Sequence, residues 1–469
     1  MKTKNYLTSL ALLLVCSGSF YSSYSFAAEF CSDDYYINVT MSNGARWDMC
    51  WEERNREGIV LHKIHYTPKA GQRRLILNSA NLAQIHVPYD DNGARYHDIS
   101  DYGLGGNYMV DLRQADCPGG KLLDFADSAV VCQQVSRDQQ GFRYQSERVQ
   151  AESLSLFSVS RVGAYHYIPL WRFFEDGAIE PAVGATGALQ RFNNASAEDN
   201  GWLIADDKVG LGHLHNFFWK LDFDLAGTSK DDLVQEINLQ EQGDRSSVQV
   251  TNMTTEAGRS VNPATARRWL ITDGEQKNAK GLPLAYEIRL PQSDHQDIGP
   301  DSETFTREDI YFTTYKDCEL YASHNPIIDG CADSLAGFIN RESLQGKDLV
   351  VWPSTTFYHM PRAEDAPFMD AHWSYISLTP RGWSARNPLS TSADLSGTDL
   401  AQEPQPEPPV VTPPVTPPIT PPINPTPSNP STPSTIISQG GGTGSFDLAF
   451  LLLLVLAKLG FVGRRAKLI

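Results

Sequence analysis

The sequence predicts an all-β fold: a large antiparallel β-sandwich with few short helices. Three observations carry this. Many short segments alternate in polarity or are rich in β-branched and aromatic residues, as at 58–66, 217–225, 285–290 and 349–357. Turn-forming residues separate them at short intervals, and long stripes of helical period are few. A sandwich can exceed about 250 residues as one domain, so residues 29–400 are taken as one unit. Within it a short helix is expected near 262–270, where Pro263 suits a first helical turn.

Composition narrows the function classes. Of 469 residues, 41% are hydrophobic and 20% charged, which excludes a wholly disordered or collagen-like chain. The 39 basic residues against 56 acidic ones give a net charge of -17, and no basic run occurs. Binding to a nucleic-acid backbone is therefore not expected. No internal window approaches the roughly 20 apolar residues of a membrane span, so a polytopic transporter is excluded.

The two ends read as addresses. Lys2 and Lys4 precede an apolar stretch at 7–15, and Ser25 and Ala27 are spaced like a signal-peptidase site, so 1–28 is expected to be a secretory signal. Residues 401–438 form a Pro/Thr-rich linker that repeats T-P-P-[VI], a stiff spacer. Residues 439–469 hold Gly440-Gly441-Gly442, an apolar segment and a basic tail with Arg464 and Arg465. That trio resembles the glycine-glycine C-terminal sorting signal of Gram-negative bacteria, which implies a sorting protease and a transient membrane anchor. A plain tail anchor is the alternative. Either places the folded part outside the cytoplasm: periplasmic, on the outer surface or secreted. Once Cys16 leaves with the signal, six cysteines remain in three close-spaced couples, as expected for disulfides in an oxidising compartment.

His213-Leu214-His215 is the sharpest local signal. On a strand, residues i and i+2 share a face, so two imidazoles can grip one ion. The strand-like run that follows, Asn216 to Asp224, suits that geometry. Three-imidazole sites suit copper or zinc. His359 stands out among the other histidines, but spacing alone does not choose the third ligand.

Several collinear stretches across roughly 50–390 resemble the catalytic domain of copper-containing amine oxidases, the topaquinone enzymes. They are Glu57 to His62, Asn81 to Tyr89, Asp98-Ile99-Ser100-Asp101-Tyr102-Gly103-Leu104-Gly105, Asp116-Cys117-Pro118-Gly119, Gly184 to Gly187, Asn262 to Arg267 and Pro361 to Asp365. Little mature sequence precedes the match, so the family's small N-terminal domains are not expected. The resemblance implies His213, His215 and His359 as copper ligands. It places the topaquinone precursor at Tyr165, in Ala164-Tyr165-His166-Tyr167, where the family motif reads N-Y-[DE]-Y. Asp98 falls at the position of the catalytic base, and Tyr89 at that of the tyrosine that hydrogen-bonds the quinone oxygen. Asp222, Asp224 and Asp348, with main-chain oxygens of Phe223 and Leu349, match a peripheral calcium site. Arg362, Glu364 and Asp365 read instead as a structural ion-pair turn.

The implied activity is oxidation of a primary amine by dioxygen, giving an aldehyde, ammonia and hydrogen peroxide, in a homodimer. Arm-like segments at 226–262 and 295–345 would join the subunits. Two other readings stand beside it. One is a metal-binding envelope protein of the same fold that has lost the quinone. The other is a zinc hydrolase or hydratase built on three histidines.

Overall fold

The computed structural model describes residues 31–390, apart from 92, 145–146, 190, 193–199, 207 and 296–301. The signal, linker and sorting segments lie outside the described residues. Two antiparallel sheets dominate. One has nine strands, in the order Tyr36–Thr40, Arg46–Arg54, Gly58–Thr67, Arg74–Pro88, His213–Phe223, Leu349–His359, Ile310–Thr314 and Ala257–Arg259, with Arg95–His97 pairing beside Arg74–Pro88. The other has twelve, and its centre is Tyr165–Phe174 between Ile179–Gly187 and Glu147–Phe157. Among the described residues there is also a three-stranded sheet.

The two large sheets pack face to face. Trp47 of the first meets Phe173 of the second, with ring centroids 5.0 Å apart, and its Nε1 donates to the Phe174 carbonyl at 2.8 Å. The Tyr66 hydroxyl donates to the Glu175 carbonyl at 2.9 Å. Large aromatics thus bury their rings between the layers while their polar tips find main-chain acceptors. The strand Tyr165–Phe174 alternates buried and half-buried residues without a break, the period of a strand with one face on the core. The strand His213–Phe223 is buried along its whole length, as befits the middle of the sandwich.

The expected helix near 262–270 is a correction. Only Pro263–Thr265 forms a single 3-10 turn, which ends at Ala266 with φ 46°, and the strand Arg268–Lys277 begins two residues later. Trp269 and Ile271 are fully buried and face Ile288 and Tyr286 across the ladder, so packing at period two overrides the local Pro signal. Helix is otherwise confined, among the described residues, to single turns such as Leu335–Phe338. The cysteines pair as three short-range disulfides, Cys31–Cys50, Cys117–Cys132 and Cys318–Cys331.

Candidate metal centre and adjoining pocket

His213 and His215 project from one face of the strand His213–Phe223, and both are buried. The neighbouring strand runs antiparallel in a register that sets His359 directly opposite His213. A residue 146 positions away therefore becomes the third imidazole. His213 Nε2 and His359 Nδ1 lie 3.3 Å apart. Bonds of about 2.0–2.1 Å to one tetrahedral ion require a ligand–ligand edge of about 3.3 Å, so the spacing suits a shared metal.

The outer ring nitrogens are held in place. His213 Nδ1 meets the Leu211 carbonyl at 3.0 Å, and His359 Nε2 meets Asp365 Oδ2 at 3.0 Å. Protons on those nitrogens leave His213 Nε2 and His359 Nδ1 as lone pairs facing each other, the arrangement by which neighbouring groups orient metal-binding histidines. Burial pushes His213 down to about 3 and holds His215 and His359 below the ordinary histidine range, so all three are neutral at pH 7. Neutral imidazole is the form that binds metal.

Tyr165 enters from the opposite sheet. Its hydroxyl lies 2.7 Å from His213 Nε2, and its ring stands edge-on to His215 at 5.2 Å. Gly163, with φ 61°, makes the turn that starts this strand. Gly187, the cross-strand partner of Tyr165, is pressed so close that a Cβ there would sit 2.3 Å from the Ala164 carbonyl oxygen. His166, as its strand position predicts, turns to the half-exposed outer face.

Beside Tyr165 opens a cavity of about 360 Å³, lined by Tyr89, Tyr96, Asp98, Tyr102 and Tyr167 among others. Asp98 opens a one-turn π-helix, Asp98–Tyr102, and is buried. The Tyr167 hydroxyl donates to Asp98 Oδ2 at 2.7 Å. Burial drives Asp98 up to about 7; the bond from Tyr167 pulls it down and Asp101 pushes it up. The Tyr89 ring stacks on His213 at 4.6 Å and lines the same cavity as Tyr165. Among the described residues, a larger groove of about 610 Å³, near Lys69, Lys277 and Arg386, is lined by no histidine, cysteine or carboxylate.

Asp222, Asp224 and Asp348 also converge, each with a buried Oδ1 that has no hydrogen-bond partner. Burial and the Asp348 carboxylate raise both Asp222 and Asp224 to about 7. Such crowding of acceptors is what a hard cation relieves. Phe223 and Leu349 are direct cross-strand partners beside this cluster.

Three residues of the centre were not singled out from the sequence for the parts they take. Tyr167 sits two positions from Tyr165 on the same strand face, and period two would have found it. Asp365 is fully buried; it pairs with Arg362 in the expected structural ion-pair turn and also bonds His359. His372 lies 4.8 Å from the His359 ring, brought there by the pairing of Met369–Tyr375 with Ile179–Gly187.

The family model for the copper amine oxidase enzyme domain matches residues 43–396. A histamine oxidase of Arthrobacter globiformis is 28% identical over 409 residues, covering 76% of this chain and 58% of that protein. A primary amine oxidase of Klebsiella aerogenes is 25% identical over 399 residues, covering 74% and 52%. The crystal structure of a copper-containing benzylamine oxidase from Hansenula polymorpha matches with a TM-score of 0.66 at 21% identity, over 75% of this chain and 62% of that one. The chain thus spans less than two thirds of the length of these relatives.

Proposed function

The chain belongs to the copper amine oxidase family, and from that premise we propose that it is an exported primary-amine oxidase using copper and a topaquinone made from Tyr165. The observation that carries this is the Tyr165 hydroxyl, buried 2.7 Å from His213 Nε2 where three neutral imidazoles converge. His213, His215 and His359 would hold the copper. Bound there, the metal would supply redox chemistry with dioxygen, and the quinone an electrophilic carbonyl and electron sink. The departures from the family motif at Ala164 and His166 fall beside Tyr165 in sequence, but the His166 side chain faces away from the metal centre.

The chain's own residues then divide the remaining work. The cavity admits the amine beside Tyr165. Asp98 takes the proton from the carbon next to nitrogen, and its affinity near neutrality suits a general base. Tyr167 fixes the carboxylate, while Tyr89, stacked on His213 in the cavity wall, would hold the oxygen at the Tyr165 position. The amine, dioxygen and water yield an aldehyde, ammonia and hydrogen peroxide. Asp222, Asp224 and Asp348 hold calcium in this reading, and the chain pairs as a homodimer. The terminal segments carry it through export, with a sorting protease and a transient anchor acting at 439–469.

Tryptic mass spectrometry of the Tyr165 peptide after aerobic copper loading tests the proposal. Conversion adds two oxygens and removes two hydrogens. Wild type should show that mass, and a His213→Ala/His215→Ala variant should not. Intact tyrosine in copper-loaded, aerated wild type would instead favour a metal-binding protein of this fold without the quinone.

A further inference from the structure

We propose that His86, His97 and Glu303 form a second transition-metal site, of zinc-binding type, on the back of the wall that carries Asp98. His86 lies on the strand Arg74–Pro88 and His97 on the three-residue strand Arg95–His97. The two are direct cross-strand partners, so their rings share one face, with centroids 4.9 Å apart. The next pair along the ladder, Val87 and Tyr96, points to the other face and lines the cavity beside Tyr165. The cluster is therefore separate from the His213 trio and backs directly onto the pocket wall.

Its geometry is that of a donor set. One ligand atom from each of the three residues lies within 4.8 Å of the others, and all three residues are buried. His86 Nε2 is 3.2 Å from Glu303 Oε2, yet it lacks the alignment of a hydrogen bond and has no other partner in a fully buried position. That spacing matches the edge of about 3.3 Å expected around a four-coordinate ion with bonds near 2.0 Å. The remaining ring nitrogens face outside partners. His97 Nδ1 lies 2.7 Å from the Ser323 hydroxyl, which can accept its proton. His86 Nδ1 lies 3.1 Å from the Asn216 amide nitrogen, so ligation through Nε2 requires that amide to turn its oxygen toward Nδ1–H and its nitrogen toward Thr356. Outer partners of this kind fix ring orientation in metal sites. Arg95 holds the Glu303 carboxylate in a two-bond fork, which sets its plane and keeps it ionised. His324, half exposed, stacks on the His97 ring at 3.6 Å and covers it toward solvent.

Two neutral imidazoles and one carboxylate suit zinc, with a fourth position left for water. An ion there would fasten a strand of three residues to its neighbour. The residue immediately after that strand is Asp98, so the ion would act as a clamp on the base without touching substrate.

The test is metal counting on the full-length protein, with calcium in excess to fill oxygen-rich sites. Incubated with zinc and freed of loosely held ion, wild type should retain two zinc ions per chain, one at each histidine cluster. His86→Phe/His97→Phe should retain one. His213→Ala/His215→Ala should also retain one, which separates this site from the copper site whatever the fate of Tyr165. If the double phenylalanine variant does not fold, Glu303→Gln serves, with zinc affinity at the second site expected to fall about tenfold or more. Equal zinc content in wild type and the His86/His97 variant, or an unchanged second affinity in Glu303→Gln, would overturn the proposal.

Discussion

Tyr167 couples the two chemistries of the site at the scale of a single hydroxyl. Its ring lies nearly parallel to that of Tyr165, with centroids 5.9 Å apart, and its oxygen donates to Asp98. That bond favours the ionised carboxylate, which burial opposes. Removing it with Tyr167→Phe leaves the charged form less supported, so Asp98 moves above about 7. A base must be ionised to act. The acid limb of kcat/KM should therefore shift to higher pH in the variant, while the Tyr165 peptide gains its oxygens as in wild type. A pH–rate profile that does not move, with the variant folded, would show that Asp98 is not the titrating base.

At the scale of elements, the turn after the strand Leu349–His359 orients the third imidazole. Ala363–Asp365 is one 3-10 turn closed by a capping box: the Arg362 main-chain N–H donates to Asp365 Oδ2 at 2.9 Å. The same oxygen faces His359 Nε2. Asp365→Asn keeps the shape but loses the charge that holds the imidazole, and copper affinity should fall about 10–100-fold in competition with a chelator. This turn also shows where the sequence was legible. His213-Leu214-His215 could be read locally because strand period two is visible in three residues. His359 could not, since only the ladder register brings it opposite His213; the family resemblance was needed to choose it. His86 and His97 went unnoticed for the same reason, as a cross-strand pair leaves no local signature. The failed helix at 262–270 is the reverse case: a local Pro signal was overruled by the burial of Trp269 and Ile271 in a sheet. Sheet propensity, alternation and disulfide couples were all readable, whereas pairings between distant strands were not.

At the scale of the whole molecule, two features fit the calcium and the dimer proposed above. The first is the carboxylate trio that joins His213–Phe223 to Leu349–His359. With Asp222, Asp224 and Asp348 facing one another, removal of calcium with a chelator should lower the unfolding midpoint, and Asp348→Asn should blunt the response to added calcium. The second is the hairpin of Asp232–Gln242 and Arg245–Met253. Its base pairs with Arg268–Lys277 only as far as Ile237, so the tip extends as a two-stranded ribbon. Ile237 faces Val250 and Leu239 faces Val248, which puts four apolar side chains on one side of the ribbon. Val248 and Val250 are 63% and 51% exposed. A two-stranded ribbon is marginal in water, and an apolar face on it is stable only when covered. In a two-fold dimer each arm would lie against the other subunit, burying both copies of the stripe at once. Light scattering should give a dimer for wild type and a monomer for Val248→Asp/Val250→Asp, because two buried carboxylates per arm cannot be desolvated without partners. A wild-type monomer, or a dimer that survives both substitutions, would assign the stripe to something other than a second copy of the chain.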